Sequence, residues 1–329
     1  MSTSKPTTAT AITTSPETLT VSSPQYSPSQ HSARARIGVA LGGGSARGYA
    51  HIGALASLEN HGLSPSVIVG TSFGAIIGSL YASGQSLAEL RNFASQQRRR
   101  DLLPQLIDFG LHKAALFRGD KLEQYFDSLL EGRHFSDLQR DFAIVATDVD
   151  SGERVLLQDG PLATALRASA SMPGIFAPVE LGGKRLMDGG IGAPVPLDTL
   201  EHFETDLDLG IEVGMQCEES VSIRFAQRCL GTNWGNRLHT GLRDTTGTDP
   251  LRVLGRTLAH TFTAWQSTPN LPAGALNIHT KPPINWLNFH RADEAINAGE
   301  EALEAYMPTI KQALSQKVLS QKSSLLAAV

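Results

Sequence analysis

Cysteine is scarce in this chain, which contains only Cys217 and Cys229 among its 329 residues. Two thiols at this spacing form neither a C-x-x-C metal or redox motif nor the framework of a disulfide-rich domain. The composition therefore favours a reduced, cytosolic setting.

Long hydrophobic runs are also missing. No segment reaches the roughly 18 consecutive apolar residues of a membrane span, and the first residues lack the apolar core of a secretory signal peptide. The formal net charge of −4 predicts no general affinity for nucleic acid. We therefore expect a cytoplasmic protein, with any membrane contact peripheral. The sequence leaves its oligomeric state open.

Composition divides the chain into three parts. Residues 1–35 are rich in Ser, Thr and Pro without apolar periodicity, so this tail is predicted to be disordered. It is interpreted as a solvated tail or as a targeting or secretion address. Residues 36–312 are predicted to form the folded domain, and residues 313–329 a C-terminal tail. Strand and helix patterns alternate from Ile37 to Val213, which indicates a mostly parallel sheet covered by helices.

A glycine-rich segment follows the first predicted strand. Residues 42–48 read Gly-Gly-Gly-Ser-Ala-Arg-Gly. The dinucleotide fingerprint fails because Arg47 stands where its third glycine belongs, and the P-loop fails because Tyr49-Ala50 replaces its Lys-Ser/Thr pair. No nucleotide cofactor is therefore predicted. An anion cradle at a helix N-terminus remains, and the alternative is a turn with glycines for close packing.

A second glycine-framed motif is centred on Ser72. Residues 66–69 form a short β-branched run, residues 70–74 read Gly-Thr-Ser-Phe-Gly, and residues 75–82 resemble a buried helix. A G-x-S-x-G motif between a strand and a helix is typical of a nucleophile elbow, in which the tight turn leaves no room for side chains beside the serine. The pattern predicts that Ser72 is an exposed nucleophile.

A nucleophilic serine requires a base. The chain has ten histidines in no evident pattern, and His51, one turn into the first helix, is interpreted as a packing residue or as a support for a neighbouring site residue, not as the base. Asp188 is the better candidate because it closes a short strand and precedes two glycines that allow close backbone approach. A lone carboxylate must be partly desolvated to act as this base. The alternative is that Asp-Gly-Gly forms only a turn.

Three segments in this order, 42–48, 70–74 and 188–190, resemble the signatures of the patatin-like phospholipase family. The similarity covers about residues 37–312 and is weakest between 215 and 276. Further similar segments are residues 146–152, residues 165–178 with their Ser-x-Pro-x-x-Phe-x-Pro run, and the closing helix at 292–305. The resemblance implies a three-layer α/β/α sandwich with a mostly parallel central sheet.

The resemblance also implies roles for individual residues. It implies a Ser–Asp dyad of Ser72 and Asp188, with neither a catalytic histidine nor a metal. The implied substrate is a lipid or another acyl ester. The amides of Gly43, Gly44 and Ser45 are expected near the oxyanion, and the expected loop supports are Gly42, Arg47 and Gly48.

Several alternatives stay open. Ser72, Asp188 and a later histidine such as His260 have the chain order of an α/β-hydrolase triad. A non-enzymatic lipid-binding protein could keep the same fold. The apolar segment 98–118 resembles the family's variable cap and is interpreted either as a transient membrane contact or as a packed amphipathic helix. Neither the lipid class, the acyl-chain length nor the choice between hydrolysis and acyl transfer follows from the sequence.

Overall fold

The computed structural model describes residues 35–96, 108–112, 115–214 and 271–327. Several predictions therefore lie outside the described residues. They concern the N-terminal tail through residue 34, most of the 98–118 segment, both cysteines and His260.

The described ranges contain alternating strands and helices. The strands are β1 (Ile37–Leu41), β2 (Val67–Thr71), β3 (Phe109–His112), β4 (Ala115–Phe117), β5 (Asp141–Asp148), β6 (Arg154–Leu157), β7 (Gly174–Phe176), β8 (Val179–Leu181), β9 (Lys184–Asp188), β10 (Leu207–Glu212) and β11 (Leu276–His279). The α-helices are α1 (Ala50–Asn60), α2 (Phe73–Ala82), α3 (Leu87–Gln96), α4 (Asp120–Leu130), α5 (Leu162–Ser169) and α6 (Ala292–Ala327). Short 3₁₀ helices span Ser45–Tyr49, Gly189–Ile191 and Leu197–His202.

The main sheet has the order β11-β10-β1-β2-β5-β9-β8, with β6 also paired to β5. The five strands from β11 to β5 run parallel, whereas β6 and β9 pair antiparallel with β5. The sheet is therefore mixed but mostly parallel, as predicted. A smaller sheet has the order β3-β4-β7.

The register around β5 brings β9 to the end of β2. Thr71 pairs with Val145, and the next residue of β5, Ala146, pairs with Asp188. β6 pairs with the edge of β5 opposite to β2. β9 therefore pairs with the same edge as β2, beginning at the β5 residue that follows the last one paired with β2. Asp188 therefore lies beside the turn that follows Thr71.

Apolar residues alternate between the two faces of the parallel strands, as the strand period of two requires. Val39, Leu41 and Ile68 pack in one cluster with residues of α1, α2 and α6. Ala40 and Val69 pack on the other face against the 3₁₀ helix Leu197–His202. The result is the expected three-layer α/β/α sandwich.

Helices α1 and α6 cross at two glycines. A Cβ on Gly53 would lie 1.9 Å from the Ile296 carbonyl oxygen, and one on Gly299 would lie 1.9 Å from the Ala50 carbonyl oxygen. α6 continues to Ala327 and so includes most of residues 313–329, which the sequence predicts to be a separate tail. The segment is helical because its Lys, Gln, Leu and Ala residues are good helix formers. None of the helices in the described part has the length and apolarity of a transmembrane span.

Candidate active site

Ser72 lies on the sharp turn between β2 and α2. A Cβ on Gly70 would lie 2.5 Å from the Ala75 Cα, and one on Gly74 would lie 2.2 Å from the Leu41 carbonyl oxygen. Real Cβ atoms do not approach that closely, so any side chain at either position would displace backbone. Ser72 itself has φ 52° and ψ −122°, a conformation that costs about 1–3 kcal/mol for a non-glycine residue.

The Ser72 hydroxyl donates a hydrogen bond of 2.8 Å from Oγ to Asp188 Oδ2. The other carboxylate oxygen, Oδ1, accepts the Gly190 N–H at 2.9 Å. Both residues are buried, Asp188 completely, so Ser72 is not the exposed residue that the motif predicts. The structure thus brings together the serine and the aspartate, although 116 positions separate them in the chain.

Burial raises the pKa of Asp188 to about 7. Loss of hydration disfavours the charged carboxylate, while the hydrogen bonds from Gly190 and Ser72 favour it and limit the rise. A carboxyl group with a pKa near neutrality can both accept and return a proton at physiological pH.

The glycine loop lies against Ser72, since a Cβ on Gly43 would sit 3.3 Å from the Ser72 Cβ. The Gly43 N–H donates to the Pro194 carbonyl at 2.9 Å, so it is not free to bind an oxyanion as predicted. Within the described ranges, the amides of Gly44 and Ser45 have no hydrogen-bond acceptor. Two of the three predicted amides therefore remain available for an anion.

Three predicted support residues fix this loop. The buried Arg47 guanidinium donates to the Val213 carbonyl at 2.9 Å and to the Ile284 carbonyl at 3.0 Å, and burial lowers its pKa. The Gly42 N–H donates to the Ile211 carbonyl at 3.1 Å. Gly48 allows Phe73 to pack closely against the loop, since a Cβ at this position would lie 2.5 Å from the Phe73 Cδ1.

His51 contacts the glycine loop and not Ser72 or Asp188. Its Nε2 lies 2.7 Å from the Gly42 carbonyl oxygen and therefore carries the proton. Burial lowers the pKa of His51 to about 4, so the ring is neutral at physiological pH. In the described part of the chain, no histidine is hydrogen-bonded to Ser72 or Asp188, and no group of three or more His, Cys, Asp or Glu side chains could hold a metal ion.

The segment of residues 169–171, for which the sequence predicts no role, contacts the backbone of both Ser72 and Asp188. The Ser72 N–H donates to Ser169 Oγ at 2.9 Å, and the Asp188 N–H donates to the Ser171 carbonyl at 3.1 Å. Both serines are completely buried. The available signal was two serines at alternate positions at the end of a helix, just before Met172-Pro173.

Comparison with known proteins finds a family match for the part of the chain that contains this site. Residues 39–201 match the model described as Patatin-like phospholipase. An uncharacterized NTE family protein of Mycobacterium tuberculosis is 35% identical over 203 residues, which cover 62% of this chain and 55% of that protein. The human patatin-like phospholipase domain-containing protein 6 is 30% identical over 190 residues, 56% of this chain and 14% of that protein.

The matched segment contains Ser72, Asp188 and the glycine loop. We therefore assign this segment to the patatin-like phospholipase family. The match spans about half the length of the mycobacterial relative and a much smaller part of the human one. The crystal structure of VipD from Legionella pneumophila covers 86% of this chain and 67% of its own, at 14% identity and a TM-score of 0.44, a distant likeness that adds nothing to the assignment.

Proposed function

We propose that the protein is a lipid acyl hydrolase, a serine carboxylic-ester hydrolase in which Ser72 is the nucleophile and Asp188 the base. The observation that carries the proposal is the hydrogen bond of 2.8 Å from Ser72 Oγ to Asp188 Oδ2. The buried aspartate supplies the basicity that a serine hydroxyl otherwise lacks, and both of its oxygens are oriented by donors.

In the first half-reaction, Ser72 Oγ attacks the ester carbonyl carbon while its proton passes to Asp188. The carbonyl oxygen becomes an oxyanion, which the free amides of Gly44 and Ser45 stabilise. Loss of one such donor typically costs about 2.7–4 kcal/mol of transition-state stabilisation. Collapse of the intermediate expels the alcohol, which takes the proton from Asp188, and leaves an acyl group on Ser72.

In the second half-reaction, water attacks the acyl carbon. Asp188, again a carboxylate, accepts a proton from this water as the second tetrahedral intermediate forms. The same amides hold the oxyanion, and the proton returns to Ser72 Oγ as the carboxylic acid leaves. One carboxyl group thus serves as base and acid in both steps, which its pKa of about 7 suits.

The relatives' names support an ester of a phospholipid as the substrate class, since they include patatin-like phospholipase domain-containing proteins. Apolar side chains of residues 98–107, which lie outside the described residues, would add peripheral contact with a lipid surface. A panel of phospholipids, lysophospholipids, triglycerides and acyl thioesters incubated with the pure protein tests this assignment. Release of fatty acid from a lipid ester is the expected result, and inactivity across the panel would contradict it.

The nucleophile is tested by Ser72→Ala. This variant should fold normally and lose hydrolysis of p-nitrophenyl acyl esters, because no other hydroxyl contacts Asp188 within the described ranges. A fluorophosphonate probe should label the wild-type protein at Ser72 and should not label the variant. Label at another serine would refute the assignment, and lipid binding without any turnover would favour the non-enzymatic alternative.

A further inference from the structure

The backbone of the nucleophile is held by a side chain from a distant part of the chain. Ser169, the last residue of α5, is completely buried. Its Oγ donates to the Val145 carbonyl at 2.6 Å and accepts the Ser72 N–H at 2.9 Å. A hydroxyl has one proton, and here it is committed to the carbonyl, so a lone pair faces the amide. We propose that Ser169 is a positioning residue for Ser72, an inference that rests on the proposed function.

Ser72 needs such a partner because its backbone is strained. With φ at 52° and ψ at −122°, it keeps this conformation only where its surroundings determine it. The Ser72 carbonyl already accepts the N–H groups of Ala75 and Ile76, at 3.0 and 3.2 Å. The bond to Ser169 engages its remaining backbone polar group. With the backbone fixed from both sides, the Oγ is directed at Asp188.

The same short segment also holds the base. Two residues after Ser169, the Ser171 carbonyl accepts the Asp188 N–H at 3.1 Å. The buried Arg167 guanidinium fixes this segment, because it donates to Ser171 Oγ and, at 2.8 Å, to the Gly119 carbonyl. Residues 169–171 therefore set the separation between nucleophile and base.

Replacing Ser169 by alanine tests the role directly. Ser169→Ala leaves the Ser72 N–H and the Val145 carbonyl without this partner, so the serine samples conformations in which Oγ no longer reaches Asp188. For p-nitrophenyl butyrate we expect kcat to fall at least about tenfold while KM stays within about twofold, since Ser169 is completely buried and out of reach of the ester.

The matched control is Ser79→Ala. Ser79 is also a completely buried serine, and its hydroxyl donates to the Ile76 carbonyl at 2.8 Å, within α2 and away from the dyad. This variant loses a buried hydroxyl too, so it should lose thermal stability but keep kcat within about twofold. A fall in kcat no larger for Ser169→Ala than for Ser79→Ala, or a change confined to KM, would overturn the positioning role.

A second substitution covers the case in which Ser169→Ala does not fold. Ser169→Cys keeps the shape of the side chain but replaces the oxygen acceptor with a weaker sulfur one, and its kcat should fall at least about threefold. Ser72→Ala in the same assay separates the two proposals. If it retains full activity, the proposed function fails and the positioning role with it. If it is inactive while Ser169→Ala or the folded cysteine variant is fully active, only the positioning role fails.

Discussion

Replacing Asp188 by asparagine should inactivate the protein and stabilise it at alkaline pH. Folding raises the pKa of this carboxyl from 3.8 to about 7, which is about three units at roughly 1.36 kcal/mol each. The ionised, buried carboxylate therefore costs the folded state up to about 4 kcal/mol. Asparagine is neutral, can still accept the Gly190 N–H, and avoids this cost.

The sign of the pH dependence follows from proton binding. Between about pH 4 and pH 7 the folded protein retains a proton on Asp188 that the unfolded chain releases, so the contribution of this group to stability falls as the pH rises through that window. Well below pH 4 the carboxyl is neutral in both states, and wild type and variant should differ little. Above pH 7 the full difference is present.

The assay is thermal unfolding of wild type and Asp188→Asn at pH 5, 6, 7 and 8. Even half of the expected free energy raises the melting temperature by roughly 4 °C or more, at about 2–4 °C per kcal/mol. Asp127→Asn, at an exposed position of α4, is the control and should show no such trend. Equal melting temperatures of wild type and Asp188→Asn at pH 8, or a difference that does not grow with pH, would refute the argument.

Wild-type kcat/KM should rise with pH around 7, and the variant should lose several orders of magnitude in rate.

Three further substitutions test the glycine loop, the crossing of α1 and α6, and the role of His51. Ser45→Gly removes a non-glycine residue at φ 50° and should raise stability by about 1 kcal/mol; a lower melting temperature would contradict this. Gly299→Val should abolish folding by circular dichroism, because its Cβ would lie 1.9 Å from the Ala50 carbonyl oxygen. His51→Ala should lower the melting temperature yet keep at least about one-tenth of the turnover, a loss below about 1.4 kcal/mol. A loss as deep as that of Asp188→Asn would favour a histidine mechanism.

The parts of the fold that depend on local pattern were predictable from the sequence. The short apolar runs ahead of both glycine motifs predict strands, and β1 and β2 lie there. The motif also predicts that the turn has no room for side chains beside the serine. The distances from a Cβ at Gly70 or Gly74 to the neighbouring backbone atoms confirm this. These features need only information from neighbouring residues.

Features that depend on distant parts of the chain were not predictable in the same way. The Gly43 amide was expected near an oxyanion, but its acceptor is the carbonyl of Pro194, in a loop whose position depends on where β9 pairs with β5. Ser169 contacts Ser72 across 97 positions, and nothing in its immediate sequence identifies that partner. Even the meeting of Ser72 with Asp188 was expected from family resemblance, whereas its physical origin is the shared edge of β5.

The position of β10 sets a practical limit on how this protein can be divided. The family match ends at residue 201, but β10 pairs with β1 in the interior of the sheet. A fragment cut at the end of the match would leave the apolar strand β1 with a free edge, which invites edge-to-edge aggregation. It would also remove the Ile211 and Val213 carbonyls that hold Gly42 and Arg47. A fragment for expression should therefore not end where the family match ends, but should extend far enough to include β10, β11 and α6.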